Sequence, residues 1–148
     1  MGTIALRNCP VRKRIPANVV TAYEATVFEV FGRFPAVLSL AETPGAHDCW
    51  LARNASGSAV IITASNPFSK LTAKDCNDAA NGRLHGDAKA LNLSTSAARR
   101  TDPLERWFED SICVFDLPDA VLSTWLTRYG QNAALRVRMG QAPELVWH

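Results

Sequence analysis

Seven side chains have the types that could do chemistry together: Asn66, Ser69, Asn77, Trp107, Glu109, Gln131 and Asn132. Glu109 stands two positions from an indole, Trp107. A carboxylate partly shielded from water by such a neighbour gains a raised pKa, which suits general acid or base work. Asn66, Gln131 and Asn132 carry amides that donate and accept through one group, as a site that orients a ligand requires. Each residue also has a plainer use. A glutamate can bind loop amides or cap a helix start, and amide side chains tie down irregular loops. For Glu109 the structural use is preferred. For the amides it leads by less, because three amides and a serine exceed what one loop needs.

Several chemistries are poorly supported. Ser69 and Ser111 have no histidine partner, since His47 falls in a loop, His85 on a helix and His148 at the terminus, so no nucleophile and base are paired. There is no phosphate-binding P-loop, no G-x-G-x-x-G and no H-E-x-x-H. Cys9, Cys49, Cys76 and Cys113 form no C-x-x-C pair, and His47-x-Cys49 is the one histidine at ligand spacing, so neither a metal site nor a cofactor is expected. Lys70 and Lys74 near a helix start could attract an anion, although a solvated pair is the commoner arrangement. Arg136 and Arg138 share one strand face and suit pairing with carboxylates on a neighbouring strand.

The totals agree with an ordinary globular domain: 148 residues, 47% hydrophobic and 20% charged, with a net charge of +2. So small a charge does not argue for nucleic acid. No stretch has the length and apolarity of a membrane span or a signal peptide, and a membrane partner is not expected. Isolated cysteines inside apolar runs fit reduced thiols, which points to the cytoplasm.

Elements that could position the seven side chains follow from the apolar pattern. Residues 1–16 carry four basic residues, two prolines and no acid, and read as a basic, flexible arm before a single domain at 17–148. A short helix is predicted over 17–25, then a hairpin from strands at 26–31 and 35–41 around Gly32. Residues 42–58 read as a loop anchored by Trp50. Residues 59–64 form the central strand, because Val60-Ile61-Ile62 wants burial on both faces; Asn66-Pro67 ends it. Thr72-x-x-Asp75 has the form of a capping box for a helix to about residue 91. A polar strand at 93–99, a loop at 100–110 holding Trp107 and Glu109, and an apolar strand at 111–115 follow. Asp116 is placed as the cap of a helix with Pro118 in its first turn, closed by Gly130. Strands at 135–139 and 144–147 finish the chain.

This order predicts an α+β fold: a ferredoxin-like β-α-β-β-α-β unit over about residues 59–139, with the N-terminal hairpin and a C-terminal strand extending a mainly antiparallel sheet. If each helix returns the chain over one face, the central strand ends where the strands near residues 111 and 133 begin. That edge collects the seven residues from four separate loops, as a site requires.

A-Y-x-A-T at 22–26, I-T-A-x-N-P-x-S at 62–69, Asn77, W-x-E-x-S at 107–111, Y-G-Q-N-A at 129–133 and P-E-L-V-W near the end resemble, in this order, a family of small bacterial proteins known as a domain of unknown function, the three-two-nine-three family. The resemblance implies a bacterial source and a shared fold, and no activity. In residues 100–107 the family is richer in Gly and Asp than this chain. Three functions stay open. The preferred one is a module that binds a small polar or anionic ligand at the Asn66, Glu109 and Gln131-Asn132 edge. The others are an interaction domain using the sheet, and an enzyme using Glu109. The enzyme requires Glu109 to be buried, open to a pocket and free of a salt bridge. Oligomeric state is not legible in the sequence.

Overall fold

A computed structural model describes residues 15–148. The expected arm at 1–16 lies outside the described residues except for Ile15 and Pro16. The elements are α1 (Ala17–Glu24), β1 (Val27–Val30), β2 (Ala36–Leu38), α2 (Asp48–Arg53), β3 (Ser58–Ile62), α3 (Lys74–Ala90), β4 (Thr95–Thr101), β5 (Phe108–Phe115), α4 (Asp119–Arg128), β6 (Ala133–Arg138) and β7 (Glu144–Trp147). They form an α+β fold around one curled sheet of order β2-β1-β4-β5-β3-β6-β7, and every neighbouring pair runs antiparallel.

The central place of β3 follows from its side chains. Val60 and Ile62 point to one face, into a core with Leu84 and Ala88 of α3 and Leu122, Trp125 and Leu126 of α4. Ala59 and Ile61 point to the other, into a core with Phe28, Leu38, Leu51, Phe115 and Leu135. Burying a side chain of this size stabilises by about 1.5–3 kcal/mol, so a strand apolar on both faces is driven to the middle. Curling brings β4 and β7 within reach of α1 across the second face: the Tyr23 ring lies 5.4 Å from Trp147 on β7 and 5.1 Å from the Arg100 guanidinium on β4.

Four local expectations need correction. The stretch at 42–58 contains a helical turn and a half, α2, which buries Trp50 and Leu51; the Trp50 Nε1–H donates to the Phe34 carbonyl at 2.8 Å. Thr72 and Asp75 make no capping box. Helix α3 starts after Ala73 without a side-chain cap, because the Thr72 amide is taken by Asn66 Oδ1 at 2.9 Å. Asp116 does not cap α4 either. It sits at φ +54° and its Oδ1 accepts the Gly57 and Ser58 amides at 3.0 and 3.2 Å, pinning the start of β3, while Pro118 takes the cap position. The expected loop at 100–110 is shorter. β4 runs on to Thr101 and β5 starts at Phe108, which turns Glu109 into a strand residue facing Arg100 across the ladder.

Gly130 does close α4. With φ +61°, it lets its own amide reach the Thr127 carbonyl at 3.2 Å and the Gln131 amide reach that of Leu126 at 2.9 Å, so two end carbonyls are satisfied.

Candidate functional site

β3 runs out at Ile62, opposite Ile112 of β5 and close to the first residues of β6, so the chain segments after β3, before β5 and before β6 share one rim. The segment after β3 is polar and irregular, and its backbone groups need partners. Helix α3 supplies them from two asparagines one turn apart. Asn81 Oδ1 accepts the Ala64 amide at 2.8 Å and its Nδ2 donates to Ser65 Oγ at 2.8 Å. Asn77 Oδ1 accepts the Asn66 amide at 2.8 Å and its Nδ2 donates to Asn66 Oδ1 at 3.0 Å.

Held this way, Asn66 aims its Nδ2 at Glu109 Oε2, 2.8 Å away. The other carboxylate oxygen, Oε1, accepts Arg100 Nε at 2.7 Å and also Arg100 Nη2. Both side chains of this ion pair are nearly nine-tenths covered. Burial works against the Arg100 charge, but Glu109 and Tyr23 outweigh it and hold the guanidinium pKa above its ordinary value. A covered arginine without Glu109 would be an uncompensated charge, which accounts for the pairing.

The trio forms the polar floor of a pocket of about 460 Å³. Its walls are apolar and aromatic. Val19, Ala22 and Tyr23 come from α1, Leu71 from the segment after β3, and Trp107 and Phe108 from the start of β5. Leu71 is 96% exposed and Trp107 40%, so among the described residues the rim presents apolar surface to solvent. Trp107 is set by the loop before it. Its carbonyl accepts Thr101 Oγ1 at 2.7 Å, and the buried Asp102 accepts the Arg106 amide at 2.6 Å. Burial pushes the Asp102 carboxyl up, and the bonds from Arg106 reverse that, leaving it below the usual carboxylate range.

The segment between the pocket and β6 is strained. Asn66, Phe68 and Ser69 all have left-handed backbones, at φ +47°, +59° and +59°. Asparagine tolerates this conformation, whereas phenylalanine does so at a cost of roughly 1–3 kcal/mol. Two contacts impose it: the Phe68 amide donates to the Gly130 carbonyl at 2.7 Å, and Asn132 Nδ2 donates to Ser69 Oγ at 2.8 Å.

The seven sequence-predicted residues therefore divide. Asn66, Ser69, Trp107 and Glu109 line the pocket, and Asn77 supports Asn66 from behind. Asn132 lies on the far side of Ser69, in a separate recess shared with Phe68 and His148. Gln131 is internal: its Nε2 donates to the Ser65 and Tyr129 carbonyls, both at 3.0 Å, and it is 3% exposed. Glu109 fails the condition set for a catalytic base, because it is salt-bridged to Arg100. Sequence reasoning missed Arg100, Tyr23 and Asn81. Asn81, four residues after Asn77 on the same helix face, was a readable signal, whereas Arg100 needed the β4–β5 register.

No group of three or more metal-ligating side chains is present among the described residues. No helix among them is long and apolar enough to cross a membrane. Residues 62–134 match a protein family described as "Protein of unknown function (DUF3293)", a span that contains β3's last residue, both long helices and seven of the pocket-lining residues. No curated protein and no solved structure matches the chain.

Proposed function

We infer that this chain, which belongs through residues 62–134 to the DUF3293 family of proteins of unknown function, is a module that binds a small molecule in the pocket between α1, the segment after β3 and the start of β5. One observation carries the reading: a concave site with apolar walls encloses a few convergent polar groups, Asn66, Arg100 and Glu109, and this is the usual composition of a ligand pocket. Backbone strain beside it, at Phe68 and Ser69, adds support, because such strain persists where surrounding structure demands it. An enzyme with Glu109 as general base has less support, since that carboxylate is already occupied by Arg100 and Asn66.

The fold reading that accompanies this is a ferredoxin-like unit over β3-α3-β4-β5-α4-β6. The spatial order β4-β5-β3-β6, with each strand antiparallel to its neighbours, supports it. A bacterial cytoplasmic setting is retained on the family resemblance and on the free thiols of Cys49, Cys76 and Cys113, which suit a reducing compartment.

The test is a thermal-shift screen of the full chain and of Trp107→Leu against metabolites and nucleotides. Compounds that raise the unfolding midpoint of the parent and leave that of the variant unmoved are the expected result. Stabilisation that is equal in both proteins, or none at all, contradicts the reading and favours an interaction domain.

A further inference from the structure

Resting on the reading that this pocket binds a small molecule, we propose that its ligand is an uncharged planar heterocycle carrying a hydrogen-bond acceptor and donor side by side, the chemistry of a nucleobase edge. Charge is the first argument. Among the described residues, Arg100 and Glu109 are the only charged ones in the lining, and they are paired, so the floor is neutral as a whole. An anion drawn to Arg100 meets the Glu109 carboxylate, and a cation drawn to Glu109 meets the guanidinium. A ligand without net charge escapes both penalties.

The hydrogen-bond inventory of the floor points the same way. Arg100 spends Nε and Nη2 on Glu109 and meets Tyr23 as a further side-chain hydrogen-bond partner, so N–H groups remain to spare among the guanidinium's five. Glu109 Oε2 takes one bond, from Asn66, where a carboxylate oxygen accommodates two. A spare donor and a spare acceptor thus sit on two groups already bonded to one another. The complement is a ligand that accepts at one atom and donates at the next, as an amide does in a chain or a base does in a ring.

The walls choose between those two. Tyr23 and Trp107 offer aromatic rings from two sides, and Trp107 keeps enough exposed surface to stack on a flat partner. A ring system uses these surfaces and an extended amide does not.

Calorimetric titration of the full chain with adenine, adenosine, uridine, benzoate and inorganic phosphate tests this. Binding of at least one of the bases or nucleosides, weakened tenfold or more in Trp107→Leu with an unchanged unfolding midpoint, is the expected result. Glu109→Gln, where it folds, weakens the same ligand by removing an anionic acceptor. Binding of benzoate or phosphate, lost in Trp107→Leu while the bases stay silent, overturns the neutral-ligand inference and leaves the pocket as a binding site. Silence from all five probes overturns the inference as well. The broader binding reading then stands or falls separately, on whether the metabolite screen yields any compound whose effect Trp107→Leu abolishes.

Discussion

Glu109 shows how one side chain can be positioned by function or by structure, and how its partners decide. Bound to Arg100 through one oxygen and to Asn66 through the other, it joins β5, β4 and the segment after β3. Substituting Glu109→Gln leaves a covered guanidinium without its counter-charge, and a loss of about 3 kcal/mol in urea unfolding is expected. The double variant Arg100→Met with Glu109→Leu removes both charges and should lie within about 1 kcal/mol of the parent, because an apolar pair needs no compensation. Asp102 yields a pH prediction. Its carboxyl sits lower in the folded chain than its ordinary value of 3.8, so the stability it contributes is complete above that value and disappears as pH falls through the folded pKa. Asp102→Asn should therefore flatten the acid limb of a stability–pH curve from about pH 4 downward, with little change in that slope near neutrality. That Asn66, Trp107 and Glu109 would gather at one place was legible because each is a chemistry-bearing side chain near a strand end. Arg100 was hidden, because an arginine at the start of an expected loop looks solvated until register places it beneath Tyr23 and opposite Glu109.

Elements carry strain between distant residues, and the end of α4 is the clearest case. Gly130 terminates the helix at φ +61°, and a Cβ built there would stand 3.1 Å from the Pro67 Cβ and 3.2 Å from the Phe68 ring. Gly130→Ala therefore faces an unfavourable backbone and a steric clash with the pocket segment, and should lower stability by about 1–3 kcal/mol in denaturant unfolding. It should also weaken any ligand that Trp107→Leu weakens, since the displaced segment holds Asn66 and Ser69. Apolar runs made β3 and β5 legible, and Gly130 marked the helix end. Caps were misread for a physical reason: Thr72 and Asp116 have capping side chains, but Asn66 already satisfies the Thr72 amide and Asp116 serves the amides of Gly57 and Ser58. Helix α2 was missed because six residues are too few to show a helical period.

On the scale of the whole molecule, a strand buried on both faces sets where a pocket can exist. Helices α3 and α4 cover one face of β3, and each returns the chain so that polar ends gather on the rim above Ile62. That convergence was legible from element order alone, because a helix between two strands carries the chain back to the opposite edge of the sheet, so that β4 ends and β5 and β6 begin at the edge where β3 runs out. The contribution of α1 was not legible, since its pocket wall depends on the sheet curling until Tyr23 meets both Trp147 and Arg100. The most direct measurement of the central claim is the indole N–H spectrum of the four tryptophans, recorded during titration with whichever compound most raises the unfolding midpoint. A ligand in the pocket should shift the Trp107 signal strongly and saturably, leaving Trp50 and Trp125 in place because both are buried in the core. A saturating ligand that moves Trp50 or Trp125 and leaves Trp107 unmoved would contradict the account.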